Sequence, residues 1–359
     1  MSHLTRLREA MAAHNVDAVL ITSEMNQQYL TGFYFQDGLV VVTAKRACML
    51  TDFRYIEAAR ASRAANEFEI TAPDRRLSAV AYDVVREDAA HTVAVEEATL
   101  SVAEFERFKG VFEGCELVPG ASKLTDGLRE FKDDEEFEKI KEAQRIADKA
   151  FAHILDFIRP DMTERQVALE LEFFMRANGA EAAAFDTIAV SGSASSMPHG
   201  VPRDVVLEKG FLTMDFGARV DGYDSDMTRT IVIGRADDEM KRLYNTVLEA
   251  QLKALSLARP GVGCRMLDLE ARKIIDGAGY AGCFGHGLGH GVGMYIHEAP
   301  RLSSKAPADA VLIPGQVVTV EPGIYLEGKY GCRIEDMIFV KEDDIYDFTR
   351  SPKNLIEIC

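Results

Sequence analysis

Residues 211–234 read FLTMDFGARVDGYDSDMTRTIVIG, two apolar-rich runs on either side of the dipeptide Asp221-Gly222. Such a dipeptide favours a two-residue hairpin loop. With that loop, Val220 pairs with Tyr223, Gly217 with Asp226, and Asp215 with Thr228. Directly opposed residues share a face, and so do residues two apart on one strand, so Asp215 and Asp226 become diagonal neighbours with Cβ atoms roughly 5–8 Å apart. That separation suits a bridging metal ion. Without a positive charge between them the two carboxylates repel, and one pKa is pushed upward. The plainer alternative is a pair of solvated acids on an exposed hairpin face.

Further strands extend this texture: 187–191 upstream, and 316–321 and 333–340 downstream, with a helix pair at about 237–257 and 266–278 between them. Before them, Asp133 or Asp134 can cap a long helix. Its apolar stripe runs through Phe137, Ile140, Ile146, Ala147, Ala150, Phe151, Ile154 and Leu155 until Pro160 stops it. A second helix starts at Thr163 with Gln166 three residues on, a capping-box pattern, and ends near Asn178-Gly179. The expected product is an α+β domain built on an antiparallel sheet. Residues 4 to 118 read differently: strands at 17–22, 39–43, 48–50 and 92–95 alternate with helices at 55–66, 77–86 and 102–108. That alternation predicts a smaller α/β domain with a mixed or parallel sheet under helices. The polar stretch 119–132 separates the two, and the chain divides into domains 1–125 and 126–359. No fixed-period repeat or low-complexity tract is present.

Length and composition agree with two ordinary globular domains: 359 residues, 47% hydrophobic and 28% charged. No apolar run approaches the ~18–20 residues of a membrane span. The first 23 residues carry charges throughout and lack the apolar core of a signal peptide, which points to a cytoplasmic protein. Six cysteines without a C-x-x-C pair fit reduced thiols better than disulfides or a thiolate zinc site. A net charge of −17 works against nucleic acid as a partner, because that affinity comes largely from Lys and Arg neutralising phosphates.

The remaining chemistry lies in the C-terminal half. Four of the eight histidines fall between residues 199 and 297, three of them (His286, His290, His297) within GHGLGHGVGMYIHE. Glycine at 285, 287, 289, 291 and 293 opposes a helix. The four-residue spacing of His286 and His290 is therefore not that of a helical zinc motif, and the glycines let backbone crowd against a site. His3, His14, His91 and His153 have no such context and read as structural or surface residues. Glu321 in VVTVEPGIY and Glu335 in GCRIEDMIF sit inside apolar, strand-like runs, where an unpaired carboxylate is costly. If residues 327–329 form a three-residue loop, Glu321 lies opposite Glu335, although Pro322 cannot donate to the ladder. Arg333 offers the structural alternative of a neutralising ion pair. Four strand-borne carboxylates and one histidine make an oxygen-rich set suited to two divalent cations about 3.5–4 Å apart. With one imidazole and no thiolate, the set favours manganese or cobalt before zinc. SGSASS is not a G-x-S-x-G elbow, no Walker A pattern occurs, and no cysteine has a nucleophile context. Hydrolysis by metal-bound water is what remains.

The series MDFGARVDGYDSDMTRT, SSMPHG, GHGLGHGVGMYIHEAP, VEPGIY and RIED resembles the pita-bread metallopeptidases, and among them the Xaa-Pro peptidases, aminopeptidase P and prolidase. The resemblance covers nearly the whole chain, the first 125 residues being similar to the creatinase-type N-terminal domain. It implies that Asp215 chelates one metal, that Asp226 and Glu335 bridge both, and that His290 and Glu321 complete the second. It also implies that Glu321 shuttles protons for a metal-bridging hydroxide. His199, His286 and His297 match histidines that contact substrate and the tetrahedral intermediate, and Arg333 matches a residue bracing the bridging acids. Arg301 matches a cation that prolidase-like members set against the substrate's C-terminal carboxylate. The implied substrates are small peptides with proline second, cleaved before the proline, and the family is often dimeric. Cys332, where a small aliphatic residue is expected, is the one departure. Methionine aminopeptidases share the five ligands but usually lack the N-terminal domain, creatinase lacks the metal set, and non-catalytic peptide-binding relatives have lost ligands.

Overall fold

The computed structural model describes residues 1–359. They form two compact units, Met1–Arg129 and Glu130–Cys359.

In the first unit a six-stranded mixed sheet runs in the order Glu69–Thr71, Ala47–Leu50, Leu39–Thr43, Ala18–Ile21, Thr92–Val95, Glu116–Pro119. The strands from 18, 39 and 47 pair antiparallel, and the outer ones add in parallel. Strands 18–21, 39–43 and 47–50 are buried along their whole length. Such two-sided burial explains their unbroken apolar runs. Helix Ala121–Arg129 completes this unit, burying Leu124 and Leu128 while Arg6 Nη2 donates to Leu128 O at 2.5 Å. The two compact units thus meet after Arg129, within the polar stretch 119–132.

The second unit begins with helix Asp134–Phe157, where Asp133 and Glu136 form a capping box. Helix Glu164–Ala177 follows, boxed in the same way by Thr163 and Gln166. Each box satisfies two of the N–H groups a helix start leaves free. Both helices pack through Ile146, Phe151 and Leu171 on one face of the strands Gly210–Phe216 and Met227–Ile233, at Leu212, Met214, Met227 and Ile231. Helices Asp238–Leu257 and Cys264–Ile275 bury Leu243, Val247 and Leu267 against Val318, Val320 and Ile338 of a second, five-stranded sheet.

The hairpin keeps the register expected from its turn, Val220↔Tyr223 and Asp215↔Thr228. Asp221 and Gly222 both take positive φ, 49° and 83°. Positive φ at both central residues is the turn whose twist matches a hairpin. Strand Gly289–Gly291 lies in the second sheet, where a Cβ on Gly289 would stand 2.0 Å from Thr319 O. Only glycine permits that approach. Among all helices, none is long and apolar enough to cross a membrane.

Candidate metal centre

Two sheets deliver the acids. Alternation along Gly210–Phe216 sends Leu212, Met214 and Phe216 into the core, leaving Asp215 on the other face. Asp226 directly precedes strand Met227–Ile233. On the second sheet Val320 pairs with Asp336, and in the next hairpin Gly323 pairs with Arg333, one continuous register that sets Glu321 opposite Glu335. Pro322 falls between the two ladders, where its missing N–H costs nothing. His290 enters from the middle of strand Gly289–Gly291.

Ligating atoms of Asp226, His290 and Glu335 lie within 4.8 Å of one another. His290 Nε2 stands 3.4 Å from Glu321 Oε1 and 3.6 Å from Asp226 Oδ2. Its Nδ1 is 3.1 Å from Gly291 O. A carbonyl only accepts, so Nδ1 carries the proton and Nε2 turns a lone pair towards carboxylate oxygens. Asp215 Oδ2 accepts from Arg333 Nη2 at 2.6 Å, whereas Asp215 Oδ1 is buried with no hydrogen-bond partner. A lone pair facing anions and an orphaned buried carboxylate oxygen both call for a cation. The donor set, four carboxylates and an imidazole, fits divalent ions of hard or borderline character.

Electrostatics agree. Burial, then the charges of Glu335, Asp215 and Glu321, push the Asp226 carboxyl well above its usual range. Burial, then Glu321 and Asp215, does the same to Glu335. Glu321 is pushed up to about 8, chiefly by burial. Burial also pushes the imidazoles of His290 and His286 down to about 3. Without a cation, burial and mutual repulsion favour the protonated forms of Asp226, Glu321 and Glu335 and the neutral forms of His286 and His290, and a bound cation would displace those carboxyl protons.

Arg333 is the nearest compensating charge, itself 3% exposed. Its Nε donates to Thr228 Oγ1 at 2.9 Å, and that hydroxyl donates to Glu335 Oε2 at 2.7 Å. Its Nη1 donates to Tyr325 Oη at 2.7 Å, and Tyr325 in turn lies 2.9 Å from His286 Nε2. The ring of His297 meets that of His290 edge-on at 4.4 Å, and Arg301 is the cross-strand neighbour of His290. His199, His286, His297, Arg301 and Arg333 line one cavity of about 920 Å³ together with Asp215, Asp226, His290, Glu321 and Glu335.

Reading the sequence missed Thr228 and Tyr325 as members of this network. The signal was present in the register. Thr228 opposes Asp215, and Tyr325 lies two residues from Gly323, the partner of Arg333, which makes it a diagonal neighbour of that arginine. Also missed were Phe185, Ile188, Pro202, Ile296 and Pro307, an apolar wall of the cavity carried mostly on loops. By contrast, His153 stacks on Phe174 at 4.2 Å and lies 2.6 Å from Glu170, a surface arrangement away from the cavity.

The profile of metallopeptidase family M24 matches residues 138–342, and that of the creatinase/prolidase N-terminal domain matches residues 3–131. The Xaa-Pro dipeptidase of Pyrococcus furiosus is 36% identical, covering 98% of this chain and 99% of its own. A solved structure described as an Xaa-Pro dipeptidase from Bacillus anthracis is 42% identical with a TM-score of 0.94, covering 99% of each chain. The X-Pro aminopeptidase structure from Thermotoga maritima is 36% identical with a TM-score of 0.91, covering 98% of this chain and 100% of that one. The chain belongs to metallopeptidase family M24, with a creatinase-type N-terminal domain ahead of a pita-bread catalytic domain.

Proposed function

We propose that this protein is an Xaa-Pro peptidase that binds two divalent cations, manganese before cobalt or zinc, and cleaves the bond between an N-terminal residue and a following proline. The observation that carries the reading is the cage itself: Asp215 Oδ1 without a partner and His290 Nε2 turned towards Glu321 and Asp226, at the floor of a cavity. Dipeptidase and aminopeptidase relatives supply the substrate class.

Asp215, Asp226, His290, Glu321 and Glu335 would hold the cations. When bound, these ions supply a water acidified into a nucleophile near neutral pH and a Lewis acid for the scissile carbonyl. Glu321, whose Oε1 lies 3.4 Å from His290 Nε2 among those ligands, would take the proton of that water and return it to the prolyl nitrogen, the role the resemblance implies. That nitrogen belongs to a tertiary amide without an N–H. The site must therefore grip the ring and the carbonyl rather than a donor, and the apolar wall at Phe185 and Ile188 offers a surface for it. His199 and His297 line the same cavity and would donate to the oxyanion, whereas His286, with Nδ1 2.9 Å from Gly287 O and Nε2 2.9 Å from Tyr325 Oη, would act through Tyr325. Arg301, exposed at the cavity edge, would pair with a substrate's C-terminal carboxylate, which favours dipeptides. Six unpaired thiols fit the cytoplasm, and sedimentation would test the homodimer that the resemblance implies.

The test uses metal-stripped protein refilled with manganese, cobalt or zinc and incubated with Xaa-Pro and Xaa-Ala di- and tripeptides. Release of the first residue from Xaa-Pro substrates only, greatest with manganese, is expected. Equal hydrolysis of the Xaa-Ala series would reject the proline specificity.

A further inference from the structure

Arg229 is the largest fully buried side chain of the protein, 1% exposed. Alternation along Met227–Ile233 turns Thr228 towards the metal centre and Arg229 to the opposite face of the sheet. There each of the five N–H donors of its guanidinium has one acceptor. Nε donates to Pro352 O at 3.1 Å, Nη1 to Thr228 O at 2.9 Å and Glu335 O at 2.6 Å, and Nη2 to Asp336 Oδ1 and Ser351 O, both at 2.8 Å.

These acceptors fall into two groups. Thr228 O and Glu335 O belong to backbone that carries the centre: Thr228 O also accepts the Glu335 N–H at 3.1 Å, and the Thr228 hydroxyl donates to the Glu335 carboxylate. Ser351 O and Pro352 O belong to the C-terminal segment, and Asp336 ties in the same segment through Lys353 while accepting from Gln251 Nε2 at 2.8 Å. One planar fork thus clamps the peptide of Glu335 between its neighbouring strand and the C-terminal segment.

We propose that Arg229 is a positioning residue of the metal centre, fixing the Glu335 peptide so that cation affinity depends on the C-terminal segment 351–353. The proposal rests on the reading of Glu335 as a metal ligand. A lysine keeps the charge but has three donors and no fork, so it cannot serve both carbonyls of the centre and the three acceptors behind them. Ligand carboxylates tolerate little displacement.

Arg229→Lys and the isosteric Asp336→Asn test this by competition of the purified, folded protein with a chelating dye for Mn²⁺, alongside thermal unfolding of the chelated form. Arg229→Lys should weaken Mn²⁺ binding about 10–100-fold, and Asp336→Asn should weaken it less. Asp336→Asn also provides the measurement if Arg229→Lys does not fold. A merely structural role lowers the unfolding temperature and leaves the Mn²⁺ affinity of the folded variant at the parent's value, which would overturn the proposal. A parent protein that itself binds no Mn²⁺ overturns the ligand reading instead.

Discussion

Raising the pH should weaken the metal-free protein and leave the metal-loaded protein unharmed, the reverse of what surface carboxylates do. Glu321 has an ordinary value of 4.5 and sits at about 8 in the folded chain. A carboxyl raised by folding binds more protons in the native than in the unfolded state over that interval, so stability falls as pH rises through it. Buried histidines act with the opposite sign. His286 and His290 drop from 6.5 to about 3, so the unfolded chain binds more protons below pH 6.5 and stability is lost on acidification there. The two sets oppose each other below pH 6.5, so the clean window is pH 6.5 to 8. Across it Glu321 alone removes on the order of 2 kcal/mol. Asp226 and Glu335, both pushed well above their usual range, act in the same direction. Asp224 and Asp347, raised to about 7 by burial, add a slope that no metal ligand controls. Urea unfolding of the parent and Glu321→Gln, each with chelator, separates the two contributions, because the variant lacks the Glu321 proton. Saturating manganese should flatten or invert the profile, since ligands bind as anions. A chelated parent whose urea midpoint is the same at pH 6.5 and pH 8 would refute the crowded-carboxylate picture. So would a Glu321→Gln slope equal to the parent's.

Other perturbations separate the parts of the site. Glu335→Ala should abolish turnover and leave the purified protein depleted of metal by elemental analysis, whereas Cys332→Val should do neither, because that thiol lies in the apolar cluster beside Ile324 and Ile334; full activity in Glu335→Ala would contradict a bridging ligand. Arg301→Ala should raise KM for Xaa-Pro far more than for Xaa-Pro-Xaa, and an equal loss on both would reject the carboxylate clamp. Lys132→Met breaks the ion pair with Glu298, 2.9 Å apart with both side chains almost wholly buried; breaking such a pair costs about 3–5 kcal/mol, and an unchanged denaturation midpoint would contradict that cost.

How much of this was legible in the sequence depends on what carries each feature. Pairing in a hairpin is a count from the turn, so Asp221-Gly222 locates Asp215 against Thr228, and a loop at 327–329 locates Glu321 against Glu335. The doubt raised by Pro322 dissolves because the register of Val320 with Asp336 resumes unchanged as that of Gly323 with Arg333 in a separate ladder. Capping boxes at Asp133 and Thr163 were likewise local chemistry. Helix Glu24–Thr31 was not legible, because its buried face includes Asn26 and Gln27, which break the apolar period. Their burial makes sense only once Gln27 Nε2 is seen to donate to Ile21 O and Gly38 O, and Asn26 Nδ2 to Glu96. Arg229 hid for a related reason. In a strand of alternating residues it reads as a solvated charge, and of its five acceptors, in residues 228, 335, 336, 351 and 352, four lie more than 100 positions along the chain. Pairing registers are local arithmetic. Saturation of a buried polar group is a property of the assembled fold, which is why the ligands could be placed from the sequence and the clamp behind them could not.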